Sequence, residues 1–370
     1  MAHAKSSHPT RRKVLIGAGA VAAAGIGGVG ISFARMGSAA DYAEAMKALR
    51  APLRGADPRE LVRYATLAAN SHNTQPWRFA IRQGEIRIAP DFTRRLPVVD
   101  PDDHHLHASL GCAAENLALA ATAAGLPGEL SHGADGSVVF SHSAGSPASS
   151  PLFGAIPLRQ STRAPFDGRP ASPADLALLE AAGTLPGVTC ILLTERSRID
   201  AVRDMVIAAN TVQANDKAFV RELADWVRFN PRETLATGDG LISSATGNPA
   251  IPTWLGKTIF PYVFTAEAEN PKYVDQLDSS AGVAVFVAER ADAEHWMIAG
   301  RAGQRFALQA SALGMKTSFV NQPVEVERFR ADLAVLVGMP GSRPDIVLRF
   351  GRGKAMPLSP RRPVDAVIEI

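Results

Sequence analysis

Cysteine and aromatic residues are scarce in this chain: two cysteines in 370 residues, and 6% Phe, Trp and Tyr together. Cys112 and Cys190 sit in distant segments inside apolar patterns, which excludes a disulfide framework or a thiolate metal set and leaves two buried thiols. So few aromatics form no base-stacking series. The 39 basic residues are interspersed with 36 acidic ones, so there is no basic stripe, and a nucleic-acid partner is excluded. A G-x-S-x-G elbow is also missing, and neighbours such as Ser71 and His72 do not make a triad, which argues against a hydrolase. Apolar residues, at 46% against 20% charged, are plentiful enough for a packed globular protein, as one large domain or two smaller ones.

The first forty residues read as a targeting segment. Arg11-Arg12-Lys13 precedes an apolar, Gly- and Ala-rich run over residues 14–33, and Gly37-Ser38-Ala39-Ala40 offers small residues for cleavage. This is similar to a twin-arginine export signal. It predicts a periplasmic or exported protein, with residues 14–33 just long enough to remain as an inner-membrane anchor. Within the run, Gly17-Ala18-Gly19-Ala20-Val21-Ala22 matches a dinucleotide fingerprint. The buried strand that such a loop must follow is replaced by Arg11, Arg12 and Lys13.

Local signals place the elements beyond it. Asp57-Pro58-Arg59-Glu60 starts a helix with an acidic cap and a proline in the first turn. Trp77, Phe79 and Ile81 alternate, Gln83-Gly84 turns, and Ile86 and Ile88 alternate back as a hairpin. Residues 103–124 form an alanine-rich helix closed by Gly125, with His104, His105 and His107 in its first turn as a solvated or pocket-edge cluster. No carboxylate-and-histidine set completes a metal site there. Residues 133–154, rich in Ser, Gly, Ala and Pro, mark a boundary between a first half (41–150) and a second (151–370). In the second half, Ser172-Pro173 caps a helix, 188–193 is a strand, and Val202, Met205, Val206 and Ala209 stripe a long helix. Residues 281–288 are a wholly apolar strand, and 293–313 a helix with Gly300, Gly303 and Ala307 on one side. Residues 238–264 read as an irregular lid or binding loop. Ala121-Thr122-Ala123-Ala124-Gly125-Leu126 is echoed by Ala310-Ser311-Ala312-Leu313-Gly314-Met315, each ending an alanine-rich helix at a glycine.

Two stretches carry the chemistry. Ser71-His72-Asn73-Thr74-Gln75-Pro76-Trp77 is too polar for an element interior, and Pro76 biases Gln75 towards extended backbone. Its amides offer paired donors and acceptors suited to the edge of a flat heterocycle, although Ser, Asn and Pro also suit an ordinary helix-to-strand turn. Arg159-Gln160-Ser161-Thr162-Arg163, if helical, sets two guanidinium forks on one face, a cradle for a phosphomonoester. A solvated helix face is the plainer alternative.

The pair Asn73-Thr74-Gln75-Pro76-Trp77 and Arg159-x-Ser161-x-Arg163 resembles the two-part signature of the nitroreductase family. The order, ring loop before arginine element, resembles its tandem, Acg-like branch. The resemblance implies an α+β, nitroreductase-like fold of two related halves forming an intramolecular pseudo-dimer, active as a monomer, with one FMN per chain. It implies an FMN site built from Ser71, Asn73, Gln75, Arg159, Ser161, Arg163, Thr317, Ser318 and Arg352, with Lys354, Arg361 and Arg362 left as a surface basic tail. Implied too is an oxidoreductase reducing nitroaromatics, quinones or similar acceptors by a ping-pong flavin mechanism, with no catalytic acid or base required. The electron donor would be NAD(P)H or, for an exported enzyme, a membrane quinol. The alternative is a protein that sequesters flavin under a lid.

Overall fold

A computed structural model describes residues 32–369. The paired arginines and nearly all of the apolar run that follows them lie outside the described residues. Gly37-Ser38-Ala39-Ala40 lies within them, at the start of helix α1 (Ala39–Leu49), where the Ser38 hydroxyl accepts from Asp41 N. Among the described residues no helix is long and apolar enough to cross a membrane.

The architecture is α+β, with two four-stranded antiparallel sheets. The first contains β1 (Trp77–Arg82), β2 (Glu85–Pro90), β3 (Gly128–His132) and β4 (Val138–His142) in the order β1-β2-β4-β3. Alternation sends Trp77, Phe79, Ile86, Ile88, Val138 and Phe140 to one face, all fully buried. They pack on α2 (Pro58–Thr66) and α3 (His104–Ala123). The stretch read as a boundary therefore contains a core strand, β4, whose Val138 and Phe140 outweigh its loop-like flanks.

The second sheet holds β5 (Val188–Leu193), β6 (Gly282–Ala288), β7 (Lys316–Phe319) and β8 (Pro344–Gly351), in the order β5-β6-β8-β7. Strands β6 and β8 are buried on both faces, which explains the unbroken apolar run in β6. One face meets α8 (Ala293–Ala312); the other meets α4 (Arg196–Asn215), through Val202 and Val206.

The two long central helices, α3 and α8, meet back to back through reciprocal glycines. A Cβ on Gly111 would lie 1.9 Å from Met297 O, and one on Gly300 would lie 1.9 Å from Ala108 O. Each glycine thus sits against the carbonyl three residues before the other, the pattern of an isologous contact. A buried chain crosses this seam: Gln304 Nε2 donates to Asn116 Oδ1 (2.8 Å), and Asn116 Nδ2 donates to Tyr64 O (3.1 Å). The C-terminal segment then returns to the first sheet, where Phe79 N donates to Val367 O and Glu369 N to Phe79 O.

Residues 238–264 are more regular than their composition suggests. They contain a 3-10 turn (Ser243–Thr246) and helix α6 (Thr253–Val263), which packs beside α5 (Lys217–Trp226). Gly256 allows this seat, because a Cβ there would lie 2.3 Å from the Phe229 ring.

Candidate functional site

A cavity of about 830 Å³ opens where the two halves, the C-terminal segment and α6 meet. That volume is in the range of a cofactor pocket. Three walls of different chemistry line it.

The first wall is basic. Residues 159–163 are not helical: Ser161 bridges Thr317 on the edge of β7, and Thr162 N donates to Thr317 O (2.8 Å). Extended backbone brings side chains at i, i+2 and i+4 to one side, and Arg159, Ser161 and Arg163 all line the cavity. The two arginines have different neighbours, however. Arg159 acts on Arg50 and Arg361, whereas Arg163 acts on His72 and Tyr273. Both expected arginines thus line the cavity, Arg159 beside Arg50 and Arg361, and Arg163 beside His72 and Tyr273. Arg361, read from sequence as part of a surface tail, is buried. It donates to Asn73 Oδ1 (2.9 Å) and to carbonyls at the end of α2, including Leu67 O (3.1 Å) and Ala68 O (2.8 Å). A helix C-terminus carries partial negative charge, which offsets part of the cost of burying this cation.

Arg159, 5% exposed, donates only from Nη2, to Leu67 O at 3.2 Å. Its Nε and Nη1 find no hydrogen-bond partner among the described residues, nor does Arg50 Nε. Burial lowers Arg50 and Arg159 to about 10 and Arg361 well below its ordinary value. The acidic groups acting on them are Tyr42 and Cys112, and burial raises both, Cys112 to about 12. Three guanidiniums beside one cavity, with no carboxylate acting on them among the described residues, suit an anion.

The ring loop is the most strained backbone in the structure. His72, Asn73 and Gln75 have φ of 45°, 54° and 55°, a left-handed region that such residues adopt only where surrounding bonds impose it. Those bonds are present. Asn70 Oδ1 accepts from Gln75 N (2.8 Å), Asn73 Nδ2 donates to Gly240 O (3.1 Å) and Pro360 O (3.2 Å), and Gln75 Nε2 donates to Gly238 O (2.8 Å). Gln75 Oε1 accepts from Arg362 N (2.9 Å). The sequence suggested amides free for a ligand, but Gln75 is fully buried, spends its amide on backbone and does not line the cavity. Asn73 lines the cavity while its amide braces Arg361, and Ser71 lines it beside them.

The other expected residues divide. Ser318 lines the cavity; Thr317 is buried in β7 and does not. Arg352 is also outside it, with Nη2 3.2 Å from Asp175 Oδ2. It follows directly on the end of β8, and its guanidinium is paired with Asp175.

The second wall is polar, and here His105 takes the pocket-edge place that the sequence offered for the histidine cluster. His104, His105 and His107 are buried rather than solvated, because α3 runs through the centre of the molecule. His105 reaches the cavity with Gln213, Gln322, Glu325 and Tyr273. Burial lowers His72 and His105 to about 3 and raises Tyr273 to about 12 and Glu325 in the same sense. The third wall is aromatic: Phe229 meets Phe260 edge to face at 6.2 Å, and Phe260 stacks on Phe264 at 5.3 Å. No local pattern distinguishes these side chains from ordinary core. Among the described residues no cluster of three or more His, Cys, Asp or Glu is arranged to hold a metal ion.

The cavity thus combines a basic wall, a polar wall and an aromatic wall. No protein-family model matches the chain. It is similar to two Mycobacterium tuberculosis (H37Rv) proteins, named "Putative NAD(P)H nitroreductase Rv3131" and "Putative NAD(P)H nitroreductase acg". The first is 25% identical over 326 residues, covering 84% of this chain and 90% of the relative. The second is 25% identical over 341 residues, covering 84% and 95%. These relatives support a place in the nitroreductase family. Among solved structures, a nitroreductase with bound FMN from Desulfitobacterium hafniense aligns at 13% identity and TM-score 0.37, over 58% of this chain and 94% of that one. The FMN-dependent nitroreductase NfnB of Mycobacterium smegmatis, in complex with NADPH, aligns at 15% and 0.36, over 55% and 88%.

Proposed function

We propose that this chain is an FMN-dependent oxidoreductase of nitroreductase type, holding one FMN in a cavity shared by its two halves. The observation that carries this reading is Arg159, a buried guanidinium with two unpartnered nitrogens, Nε and Nη1, beside Arg50 and Arg361 and with no carboxylate acting on it. A phosphomonoester dianion is the ligand chemistry such a cluster fits. The relatives' nitroreductase names support the same reading.

FMN, when bound, supplies two-electron redox chemistry between a donor and a nitroaromatic, quinone or similar acceptor. The chain supplies the rest. Arg50, Arg159 and Arg361 hold the phosphate, with Ser161 lining the same cavity. Asn73 keeps Arg361 in position through its Oδ1. The Phe229, Phe260 and Phe264 cover excludes water, which strengthens every charge interaction inside. The reciprocal Gly111 and Gly300 contacts support an intramolecular pseudo-dimer, active without a second chain. NAD(P)H is the donor in the cytoplasm. Export through residues 1–40, which we propose from sequence, would substitute a membrane quinol.

The aromatic cover also favours a second reading, flavin sequestration without turnover. Both are tested on protein purified gently from its own expression. One flavin per chain in the absorbance spectrum is expected, and a colourless chain that takes up no FMN refutes both. Anaerobic NADPH or a quinol then separates them: the enzyme bleaches with one of these, the sequestering protein only with dithionite.

A further inference from the structure

Glu325 has no assigned task, yet it lines the cavity with no cationic side chain paired to it. It ends the short helix Gln322–Glu325, with 15% of its side-chain surface open. One carboxyl oxygen, Oε2, is fixed by Gln213 Nε2 at 2.6 Å. The other, Oε1, lies 3.9 Å from His105 Nε2, which has no hydrogen-bond partner among the described residues. The backbone of His105 is fixed: its N donates to Asp100 Oδ1 (2.9 Å), and its O accepts from Ser109 Oγ (2.6 Å).

We infer that Glu325 is the proton donor for acceptors reduced in this cavity, with His105 as the group through which its carboxyl is reloaded. This rests on the flavoprotein reading above. The surroundings of both groups favour their neutral forms. Burial raises the carboxyl, and nearby Asp100 raises it further, against opposing effects of His105 and the Gln213 hydrogen bond. Burial, the adjoining His104 and Arg343 hold His105 low, against Glu325 and Asp102. Burial raises Tyr273 to about 12, and Glu269 and Glu325 push it the same way. Behind His105, the His104 ring lies 4.5 Å away, with its Nε2 3.0 Å from Asp345 Oδ1. A carboxyl with one oxygen fixed by Gln213 and the other 3.9 Å from an unpartnered imidazole nitrogen is placed to hold and pass a proton at the cavity wall.

The step balances for a quinone. The acceptor gains two electrons and two protons to become a quinol. Two electrons and one proton come from the reduced flavin, which is oxidised. The second proton comes from Glu325, whose O–H bond breaks as an O–H bond forms on the acceptor. The carboxylate regains a proton from solvent by way of His105.

The test compares menadione, which needs this proton, with ferricyanide, which takes electrons alone. In flavin-loaded Glu325→Gln at pH 7, the menadione-to-ferricyanide rate ratio should fall on the order of 100-fold. Glu325→Asp, which keeps the acid, should recover part of it. An unchanged ratio in flavin-loaded protein overturns the inference. A second reading comes from flavin-free protein. The infrared difference between wild type and Glu325→Gln should contain the C=O stretch of a protonated carboxyl at pH 7, and its absence also overturns the inference. Failure to bind flavin would instead sink the parent reading, leaving the infrared result to decide the protonation of Glu325.

Discussion

Replacing Arg159 with Met should move two quantities in opposite directions. Without a ligand, wild type buries a guanidinium whose Nε and Nη1 are unpartnered and which is repelled by Arg50 and Arg361. An unsatisfied buried polar group costs about 1–3 kcal/mol, more when charged. Methionine keeps the apolar stem and removes that penalty. The one hydrogen bond lost, to Leu67 O, leaves that carbonyl still bonded to Arg361 Nη2 at 3.1 Å. The flavin-free variant should therefore be more stable than wild type by about 1–3 kcal/mol. Charge-assisted hydrogen bonds to a phosphate contribute about 1.5–3 kcal/mol, so FMN affinity should drop roughly 10- to 150-fold. Urea denaturation with and without FMN, together with flavin fluorescence titration, reads both numbers. A flavin-free variant less stable than wild type, or one that binds FMN as tightly, refutes the anion-site argument.

Three further outcomes follow from the same geometry. Gly111→Ala or Gly300→Ala drives a methyl into a facing carbonyl at 1.9 Å and should destabilise by about 3 kcal/mol or more; Gly154→Ala, which meets nothing within 4 Å, should be neutral or gain about 0.5–1 kcal/mol by chemical denaturation. His72 is lowered from 6.5 to about 3 by burial, so below pH 6.5 the unfolded chain binds a proton that the folded chain refuses, and stability falls with acidification. His72→Asn, which tolerates the left-handed backbone, should gain on wild type by up to about 1.4 kcal/mol per pH unit between 6.5 and 3, and a constant difference across that range in pH-dependent denaturation would contradict this. Arg352→Ala should leave FMN affinity within about twofold, because it removes only a partly exposed ion pair with Asp175; a large loss in titration would return Arg352 to the phosphate.

Much of the scaffold was legible locally. The Asp57-Pro58 and Ser172-Pro173 starts each cap a helix through a side chain bonded two or three residues ahead. The hairpin at Gly84 and the fully apolar β6 follow from alternation and its absence. The strained loop was also recognisable as unusual, though its amides turned out to bind the chain itself. Segments with loop-like composition still carry core side chains, such as Val138 and Phe140 in β4 and Phe260 in α6.

Sequence alone determined these elements because caps, turns and periodicity act over a few residues. It determined too that the Arg159, Ser161 and Arg163 stretch would carry charge. Only the tertiary structure decided which cations converge. Arg50 ends the first helix, Arg159 follows an extended edge beside β7, and Arg361 arrives with a tail that crosses back beneath α2. Their meeting depends on long-range closure across the α3–α8 seam, where two glycines allow the halves to approach. The same closure buries His105 and brings Glu325 to it, turning a helix-start histidine and an unremarked glutamate into neighbours in one cavity wall.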